Sequence, residues 1–332
     1  MPRAKPDDSA MPATIDFLIR RRDLEVIGTP DSSVRRALRR GSLVRVAAGS
    51  YADLDVWNEL EPIDRHRARV MAVAGRLRTA PVFSHFAAAA LWGIRILGPW
   101  PTVVDVTLER ASGGRSDGAL RRHCTGLDGI EVLELDGLAL TSPAQTAVDL
   151  ARELPFADAV VALDSALHRR RRPTPLATED QIARVVAATE GNRGYRRALA
   201  SSGFATSLSD SVEESHSRVQ LHLLGFPEPE LQRRFALANS RHAEVDFYWP
   251  DFDHIGECDG RMKYRDPRIL QGRTRDQVFF AEKGRENELR QQVRMFSRWE
   301  PRELYPPQQL YDRLVRDGLP SSKPRPAPRW RT

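Results

Sequence analysis

Two acidic residues near position 250 have the types and the spacing of a metal site. Residues 243–264 (AEVDFYWPDFDHIGECDGRMKY) alternate apolar and polar side chains on both sides of a Trp249-Pro250-Asp251-Phe252 turn, which predicts a β-hairpin. A hairpin that is symmetric about the bond between Asp251 and Phe252 places Asp246 opposite Glu257, where like charges are destabilising. A divalent cation would relieve the repulsion, so the sequence predicts a metal site here.

Three further residues extend this predicted site. Glu214 lies in a predicted helix capped by Asp210-Ser211 and can supply a third carboxylate. Asp259 shares a strand face with Glu257 and can bind a second ion or orient Lys263. Metal-dependent phosphodiester hydrolysis requires oxygen ligands for Mg²⁺ (or Mn²⁺) and a nearby positive side chain, which the carboxylates and Lys263 would supply.

Each acid also has a structural explanation, and the sequence leaves both interpretations open. These explanations are a helical ion pair between Glu214 and Arg218, pairing of Asp246 with Arg233 or Arg234, and a turn at Asp259-Gly260. Along the first strand, Val245, Phe247 and Trp249 are expected on one apolar face.

Composition limits the class of protein. The chain has 332 residues, a formal charge of +6 and a pI near 9.7, with 41% hydrophobic and 29% charged residues. This balance predicts a globular protein of several domains with weak affinity for polyanions. The two cysteines are too few for a disulfide framework. No signal sequence or long apolar run occurs, which predicts a cytoplasmic protein without a membrane partner.

The first fifty residues have the pattern of a DNA-binding unit. A helix is predicted over 12–22, a turn over 29–33 and a second helix over 34–40 that ends at Gly41, with two short strands around Ala48-Gly49. This order predicts a winged helix-turn-helix that binds double-stranded DNA. Its predicted contact residues are Ser33, Arg35, Arg36, Arg39, Arg40 and Arg45. The alternative is a small helical cap whose arginines face water.

The remaining chain divides at changes of composition. The predicted domains are a winged helix-turn-helix at 12–55, an α+β domain at 56–168, a basic linker with helices at 169–204, an endonuclease-like domain at 205–318 and a disordered tail at 319–332. The predicted fold class is therefore multidomain α+β or α/β. The last domain is expected to run helix, three strands, helix, strand, helix, with a small mixed sheet. His85, beside Ser84 at a predicted helix start, is interpreted as a packing or capping residue.

The acidic motifs of the last domain resemble a known family. The residues are Glu214, the V-D-F at 245–247, the E-x-D-G at 257–260 and EKGRENELR from 282. They resemble the restriction-endonuclease-like PD-(D/E)XK fold, in particular a branch of unknown function related to very-short-patch-repair endonucleases. The resemblance covers about residues 205–315 and implies Glu214, Asp246 and Glu257 as metal ligands. It departs from the family pattern where Asp259 replaces the expected Lys, and Lys263 is the candidate substitute.

The first 168 residues resemble a second family. RRALRRGSLVRVAAGSY, SHFAAAALWG and DGLALTSPAQTAVDLAREL are similar to segments of AbiEi-type antitoxins of type IV toxin–antitoxin systems. That resemblance implies promoter binding by the winged helix and allows for a cognate toxin as a partner. Two hypotheses follow: a DNA-binding protein with a Mg²⁺-dependent endonuclease domain for repair or defence, or a non-enzymatic antitoxin-like regulator with a degenerate nuclease fold.

Overall fold

A computed structural model describes residues 17–77, 81–109, 118–169, 174–259 and 274–327. The chain forms two compact units, one within residues 1–167 and 174–204, the other within 168–173 and 205–332. Both units combine helices with β-sheet, which agrees with a mixed α/β, multidomain class. The second unit starts where the predicted last domain starts. The helices at 174–204, predicted as part of a linker region, pack in the first unit.

The first unit begins with a short helical pair and a three-stranded sheet. Its elements are β1 (Ile19–Arg20), α1 (Arg21–Val26), α2 (Asp31–Arg40), β2 (Leu43–Ala47), β3 (Ser50–Asp53) and α3 (Leu54–Glu59). Helix α2 ends where Gly41 adopts a left-handed conformation with φ 73°, which glycine reaches without strain. In sheet order β1-β3-β2, all neighbours are antiparallel. The predicted helix at 12–22 is wrong over its described part, because residues 19–20 pair with β3 and α1 starts at 21.

A five-stranded sheet follows in the same unit. Its elements are α4 (Pro62–Ala74), β4 (Val82–Phe83), α5 (His85–Trp92), β5 (Val104–Thr107), β6 (Leu120–His123), β7 (Val132–Leu135) and β8 (Leu138–Thr141). The strand order is β6-β5-β4-β8-β7, with β4 parallel to β8 and β5 parallel to β6. The alanine-rich face of α5 is fully buried against this sheet, as its small side chains predict.

Four helices complete the first unit. They are α6 (Pro143–Glu153), α7 (Phe156–Leu167), α8 (Glu179–Ala188) and α9 (Tyr195–Phe204). Ser142 caps α6 by accepting a hydrogen bond from the Gln145 amide, and Pro143 occupies the first turn, as the sequence predicts. Thr178 and Gln181 form a capping box at the start of α8. The nearly all-buried α6 and α7 form the centre of this helical layer.

The second unit has the predicted order of helix, three strands, helix, strand, helix. Its elements are α10 (Val212–Leu223), β9 (Glu230–Ala236), β10 (His242–Trp249), β11 (His254–Cys258), α11 (Arg275–Arg290), β12 (Met295–Trp299) and α12 (Gln308–Arg316), with 3₁₀ turns at Pro250–Phe252 and Pro301–Leu304. The sheet order is β12-β11-β10-β9. Of these four described strands only β11 and β12 pair in parallel, so the sheet is mixed, as expected. The β10–β11 pairing of Trp249 with His254 confirms the predicted hairpin.

The two faces of this sheet carry separate apolar cores. Phe247 and Trp249 pack with Trp299 and with α10 and α12, whereas Val245 packs with Ile255 and with α11. The prediction that Val245, Phe247 and Trp249 share one face is therefore wrong. The alternation breaks between them, where Gln232 of the neighbouring strand has φ 54° and the β9–β10 ladder omits a pair.

The chain end is tied to the second unit. In the segment predicted as a disordered tail at 319–332, the described residues 319–327 bind two helices. Ser322 donates its amide to Gly225 O, Lys323 donates to Leu223 O at the end of α10, and Arg325 forms two bonds with Asp312 of α12. Cationic groups at a helix carboxyl end stabilise it, which explains the position of Lys323. Among the described residues, no helix is both long and apolar enough to cross a bilayer.

We predict that Gly256→Ala destabilises the second unit. A Cβ atom at this position would lie 2.8 Å from ring atoms of both Trp249 and Trp299. Because both indoles are fully buried, we expect a loss of about 1–3 kcal/mol in unfolding free energy. Urea unfolding followed by tryptophan fluorescence measures the change.

Gly284→Ala is the matched control. Gly284 lies inside α11 with no described atom within 4 Å of a built Cβ, so the same substitution should stabilise by about 0.5–1 kcal/mol. Equal effects of the two substitutions would contradict the close packing at Gly256.

Candidate functional site

The predicted acids lie along a polar row that crosses the sheet of the second unit. The ladder registers place Gln232 of β9 next to Asp246 of β10, Asp246 next to Glu257 of β11, and Glu257 opposite Arg298 of β12. Neither the Gln232–Asp246 nor the Asp246–Glu257 pair is part of the regular ladder. The register therefore places Asp246 and Glu257 on adjacent strands next to each other, as predicted. The polar row runs from the β9 edge of the sheet to the β12 edge.

Glu214 is engaged at the start of α10. Its carboxylate accepts hydrogen bonds from the Asp210 amide, the Ser211 hydroxyl and the Gln232 side-chain amide, each at 2.9 Å. Ser211 in turn accepts a bond from the Glu214 amide and caps the helix. The Glu214 carboxylate therefore stabilises the first turn of α10 and links that turn to β9. The sequence predicted the helix cap but not the link to β9.

Asp246 ends the ladder between the two central strands. Its Oδ2 accepts a 2.9 Å bond from the Cys258 amide, in place of a backbone carbonyl. Arg233 and Arg234, its suggested partners, form ion pairs with Glu230 and Glu244 instead. Cys258 is buried, and burial raises the pKa of its thiol to about 12, so it stays protonated and unreactive at neutral pH.

Two arginines compensate the charge of Glu257. Arg285 of α11 donates to both carboxylate oxygens at 2.9 and 3.0 Å, and Arg298 of β12 donates to Oε2 at 2.8 Å. Glu257 is only 6% exposed, so an uncompensated carboxylate there would be costly. Burial alone lowers the pKa of both guanidinium groups, but bonds to Glu282 and Glu257 outweigh it and the pKa of each is raised.

The guanidinium of Arg298 also lies close to three further carboxylates. It lies 3.2 Å from Glu282, 3.0 Å from Glu286 and 3.8 Å from Asp259. Asp259 follows β11 and lines a cavity of about 580 Å³ that also includes Arg302, Glu303 and Arg313. Lys263, the predicted source of positive charge, lies outside the described residues, as does Gly260.

The acids of the row do not form a joint ligand set for Mg²⁺ or Mn²⁺ in this arrangement. Over the described ranges, no three of Glu214, Asp246, Glu257 and Asp259 place carboxylate oxygens within 4.8 Å of one another. The helices that approach the row, α10 and α11, pack on opposite faces of the sheet. The Arg298 guanidinium lies within 4 Å of four carboxylates, those of Glu257, Asp259, Glu282 and Glu286.

The arginines of α2 and β2 in the first unit are in the opposite situation, because they have no acidic partner among the described residues. Arg35, Arg36, Arg39 and Arg40 of α2 and Arg45 of β2 are all exposed, and none of the five forms an ion pair or a side-chain hydrogen bond with any described residue. Ser33 lies half-buried in the first turn of the same helix. Val34 is the buried residue of α2 and anchors its opposite side. The helix thus presents a positive surface that no acid of the described chain neutralises.

One arginine near this surface has acidic partners. Arg21, the first residue of α1, lies 2.9 Å from Glu25 and 2.7 Å from Asp31 at the start of α2. Bonding to Glu25 and the charge of Asp31 raise the pKa of Arg21. This bridge links the first turns of the two helices and so helps to orient α2.

A cluster that the sequence did not indicate lies in the five-stranded sheet. Among described residues, His85, His123 and Glu153 form the one group with potential ligand atoms all within 4.8 Å. His123 Nε2 lies 2.9 Å from the buried Asp105 carboxylate, and His85 Nδ1 lies 3.0 Å from Ser84 Oγ. The three residues are far apart in sequence, so no spacing pattern could have revealed the cluster.

Ring stacking makes this cluster unsuitable for a metal. The His85 and His123 rings are parallel within 7° and their centroids are 3.6 Å apart. An imidazole binds a metal in its ring plane at about 2 Å, and no point lies in both of two parallel, stacked planes. Burial lowers the pKa of His85 well below its usual value, so this ring is neutral. His85 therefore acts in packing, as interpreted from the sequence.

We predict that Arg298→Met lowers the unfolding free energy of the second unit by about 3 kcal/mol. The substitution leaves the buried Glu257 with one arginine instead of two and removes the shared cation of three more carboxylates. Chemical denaturation of the full chain measures the effect.

Arg302→Met serves as the control, since Arg302 is 71% exposed and pairs with Glu300 at the surface. That change should remain within about 0.5 kcal/mol of wild type. Adding Glu257→Gln to Arg298→Met should recover part of the loss. No recovery would show that packing, and not charge, is the role of Arg298.

Comparison with known proteins gives two relatives and no family. No family model matches the chain. Two curated proteins from strains CDC 1551/Oshkosh and H37Rv of Mycobacterium tuberculosis, MT2308 and Rv2248, are each 29% identical over 245 residues. The aligned region covers 72% of this chain and 82% of each relative, and both carry the description "uncharacterized protein". The chain is thus similar to two mycobacterial proteins across most of their length.

Proposed function

We propose that this protein binds double-stranded DNA through α2 and the β2–β3 hairpin. The observation that carries the proposal is the set of five exposed arginines without acidic partners among the described residues. Elsewhere in the described chain many arginines lie against a carboxylate, as Arg67 does against Asp64 and Arg313 against Glu303. A helix that keeps four uncompensated arginines is well suited to an anionic partner outside the chain.

The arrangement of the elements favours duplex DNA among polyanions. Two short helices followed by an antiparallel hairpin have the order of a winged helix-turn-helix. In that assignment α2 enters the major groove, where Arg35, Arg36 and Arg39 contact bases or phosphates, and Arg45 of the wing contacts the backbone. Arginine suits both roles, because its planar guanidinium bonds to guanine edges and to phosphate oxygens in a bidentate manner.

The second unit supports a non-enzymatic protein in this proposal. Glu214, Asp246 and Glu257 each have structural hydrogen-bond partners, and guanidinium groups neutralise Glu257. A carboxylate saturated by two arginines has little capacity left for a hard cation. We therefore assign the chain as an antitoxin-like transcriptional regulator with a degenerate nuclease fold; a cognate toxin as partner belongs to the same proposal.

The first test neutralises the basic helix. The quadruple variant with Gln at Arg35, Arg36, Arg39 and Arg40 should bind a labelled duplex of about 30 base pairs at least 100-fold more weakly than wild type at low salt. The slope of log K against log salt should become shallower by about 0.9 for each phosphate that the variant no longer neutralises. Fluorescence anisotropy over a salt series gives both quantities.

A charge-matched quadruple variant controls for net charge. Gln at Arg184, Arg193, Arg196 and Arg316 removes the same four charges from exposed positions on other elements. It should retain affinity within about threefold, because in this proposal the four side chains do not contact the duplex and act only through salt-screened net charge. Equal losses in the two variants would show that the chain binds DNA only through its net charge.

A Mg²⁺-dependent endonuclease is the second candidate. One observation favours it: the register brings Asp246 and Glu257 onto adjacent strands, with Asp259 two residues further along. This candidate requires Arg285 and Arg298 to release Glu257, and it requires Lys263, outside the described residues, to supply the cation. Repair or defence would be its biological setting.

Plasmid nicking distinguishes the two candidates. We expect wild type and Asp246→Ala to give the same background with Mg²⁺ or Mn²⁺, because the acids are engaged in structural bonds. Glu257→Gln, which keeps the shape of the side chain, provides a second comparison. Cleavage by wild type that both variants abolish would establish the endonuclease and overturn the non-enzymatic assignment.

A further inference from the structure

Strand β7 is an uncovered edge of the five-stranded sheet. The two edges of that sheet are β6 and β7. Strand β6 is buried or half-buried throughout, whereas Val132, Leu133 and Glu134 of β7 are all exposed. Proteins generally cover, shorten or twist away such an edge, because its free backbone groups can pair with another chain. Strand β7 is short, with four residues, but it is exposed on both faces.

The hydrogen-bond pattern shows which backbone groups of β7 face outward. The Ser142 amide donates to Glu131 O, and the antiparallel register continues through the pairs Leu133–Leu140 and Leu135–Leu138. Because bonded pairs alternate with non-bonded pairs, the amide and carbonyl groups of Val132 and Glu134 point away from β8. Neither residue has another backbone partner within the described chain. Two donors and two acceptors are thus available along one line.

The turn after β7 keeps this edge rigid. Asp136 and Gly137 have φ values of 50° and 77° and connect β7 to β8 as a two-residue hairpin loop. Positive φ at both positions is the signature of a type I′ turn, whose twist matches that of the strands. The edge is therefore held in an extended conformation before any partner arrives.

Apolar side chains lie on both sides of the same edge. Val132 is 39% exposed and Leu133 is 38% exposed. Neighbouring residues of a strand point to opposite faces, so each face of the sheet ends in one uncovered aliphatic group. A strand added to β7 would cover both.

The negative charge around β7 indicates that its partner is basic. Residues 127–138 contain four acids, Asp128, Glu131, Glu134 and Asp136, and no base. None of the four forms an ion pair with another described residue. This negative edge stands out in a chain with a formal charge of +6. A second copy pairing through β7 would bring two such acidic segments together, and like charges in cross-strand positions are destabilising.

We propose that β7 is a docking strand for an extended, basic segment of a partner protein, which joins the sheet as a sixth strand. Its backbone would bond to Val132 and Glu134, its apolar residues would cover Val132 and Leu133, and its Lys or Arg residues would meet the four acids. This is the strand-addition mode of peptide recognition. It does not depend on DNA binding by α2.

The test uses a defined probe with the full-length chain. The probe is a fluorescein-labelled peptide of about ten residues that alternates Lys with Val. Two matched peptides replace Lys by Glu, or carry an N-methyl group at every residue and so cannot donate a backbone hydrogen bond along either edge. We expect the basic peptide to bind at least about tenfold more tightly than either. Hydrogen exchange of residues 130–135 should slow by a similar factor on binding.

Variants separate backbone pairing from charge. Val132→Pro removes an outward amide and keeps the bonds to β8, since proline is tolerated on an edge strand. Glu131→Gln with Glu134→Gln removes two charges from the edge. Each should weaken binding by about tenfold. The control pair, Glu59→Gln with Glu190→Gln, removes the same charge from exposed sites on other elements and should leave binding unchanged.

Any of four outcomes would overturn the proposal. Equal binding of the N-methylated peptide, or no protection of residues 130–135, would show simple charge attraction. Equal binding by the Glu131/Glu134 variant would place the peptide elsewhere. Sedimentation equilibrium that shows a dimer abolished by Val132→Pro would assign the edge to a second copy of this chain.

Discussion

The second unit depends on the compensation of one buried carboxylate. Glu257 lies in the middle of a parallel strand pair, and Arg285 and Arg298 approach it from a helix and from the neighbouring strand. A lone charge there would disfavour folding by several kcal/mol, so the fold requires both cations or their equivalent. Arg298 also reaches Glu282 and Glu286 of α11. The same interaction therefore fastens α11 to the sheet and determines what the acids can do.

The two arginines bonded to Glu257 favour a structural role for the acidic row. Acids arranged across a small mixed sheet suggest a metal site when they are considered as a pattern. In the fold, a helix cap engages Glu214, a backbone amide engages Asp246 and two guanidinium groups engage Glu257. Each of these three carboxylates therefore has a structural role in the fold. The row is thus a structural network of ion pairs and hydrogen bonds.

Two groups of arginines are used in opposite ways. In the second unit, Arg285 and Arg298 turn inward and neutralise Glu257. In the first, α2 carries four arginines that face water, and β2 carries a fifth. For Arg285 and Arg298 the acidic partner lies within the described fold, whereas no acid of the described residues pairs with the arginines of α2 and β2. At the β7 edge the charges are reversed: acidic side chains are exposed there and have no basic partner in the described chain. These contrasts, and not net charge, locate the proposed surfaces.

The sequence by itself determined the elements whose signals are local. Periodicity, turn chemistry and capping act over a few residues, and they predict the order of helices and strands in the second unit and the hairpin that pairs Trp249 with His254. They also predict the glycine end of α2 and the Ser142-Pro143 helix start. The sequence could also select the acids and the basic helix, because residue type and spacing are visible there.

Only the tertiary structure decided the partners of those residues. Arg285 and Arg298 are 28 and 41 positions from Glu257, and His85 at the start of α5 stacks on His123 of β6. The ladder break beside Asp246 moved Val245 to the other apolar core, and no local pattern encodes it. Contacts between distant segments depend on how whole elements pack, and that packing determines whether a carboxylate faces a cation, an amide or water.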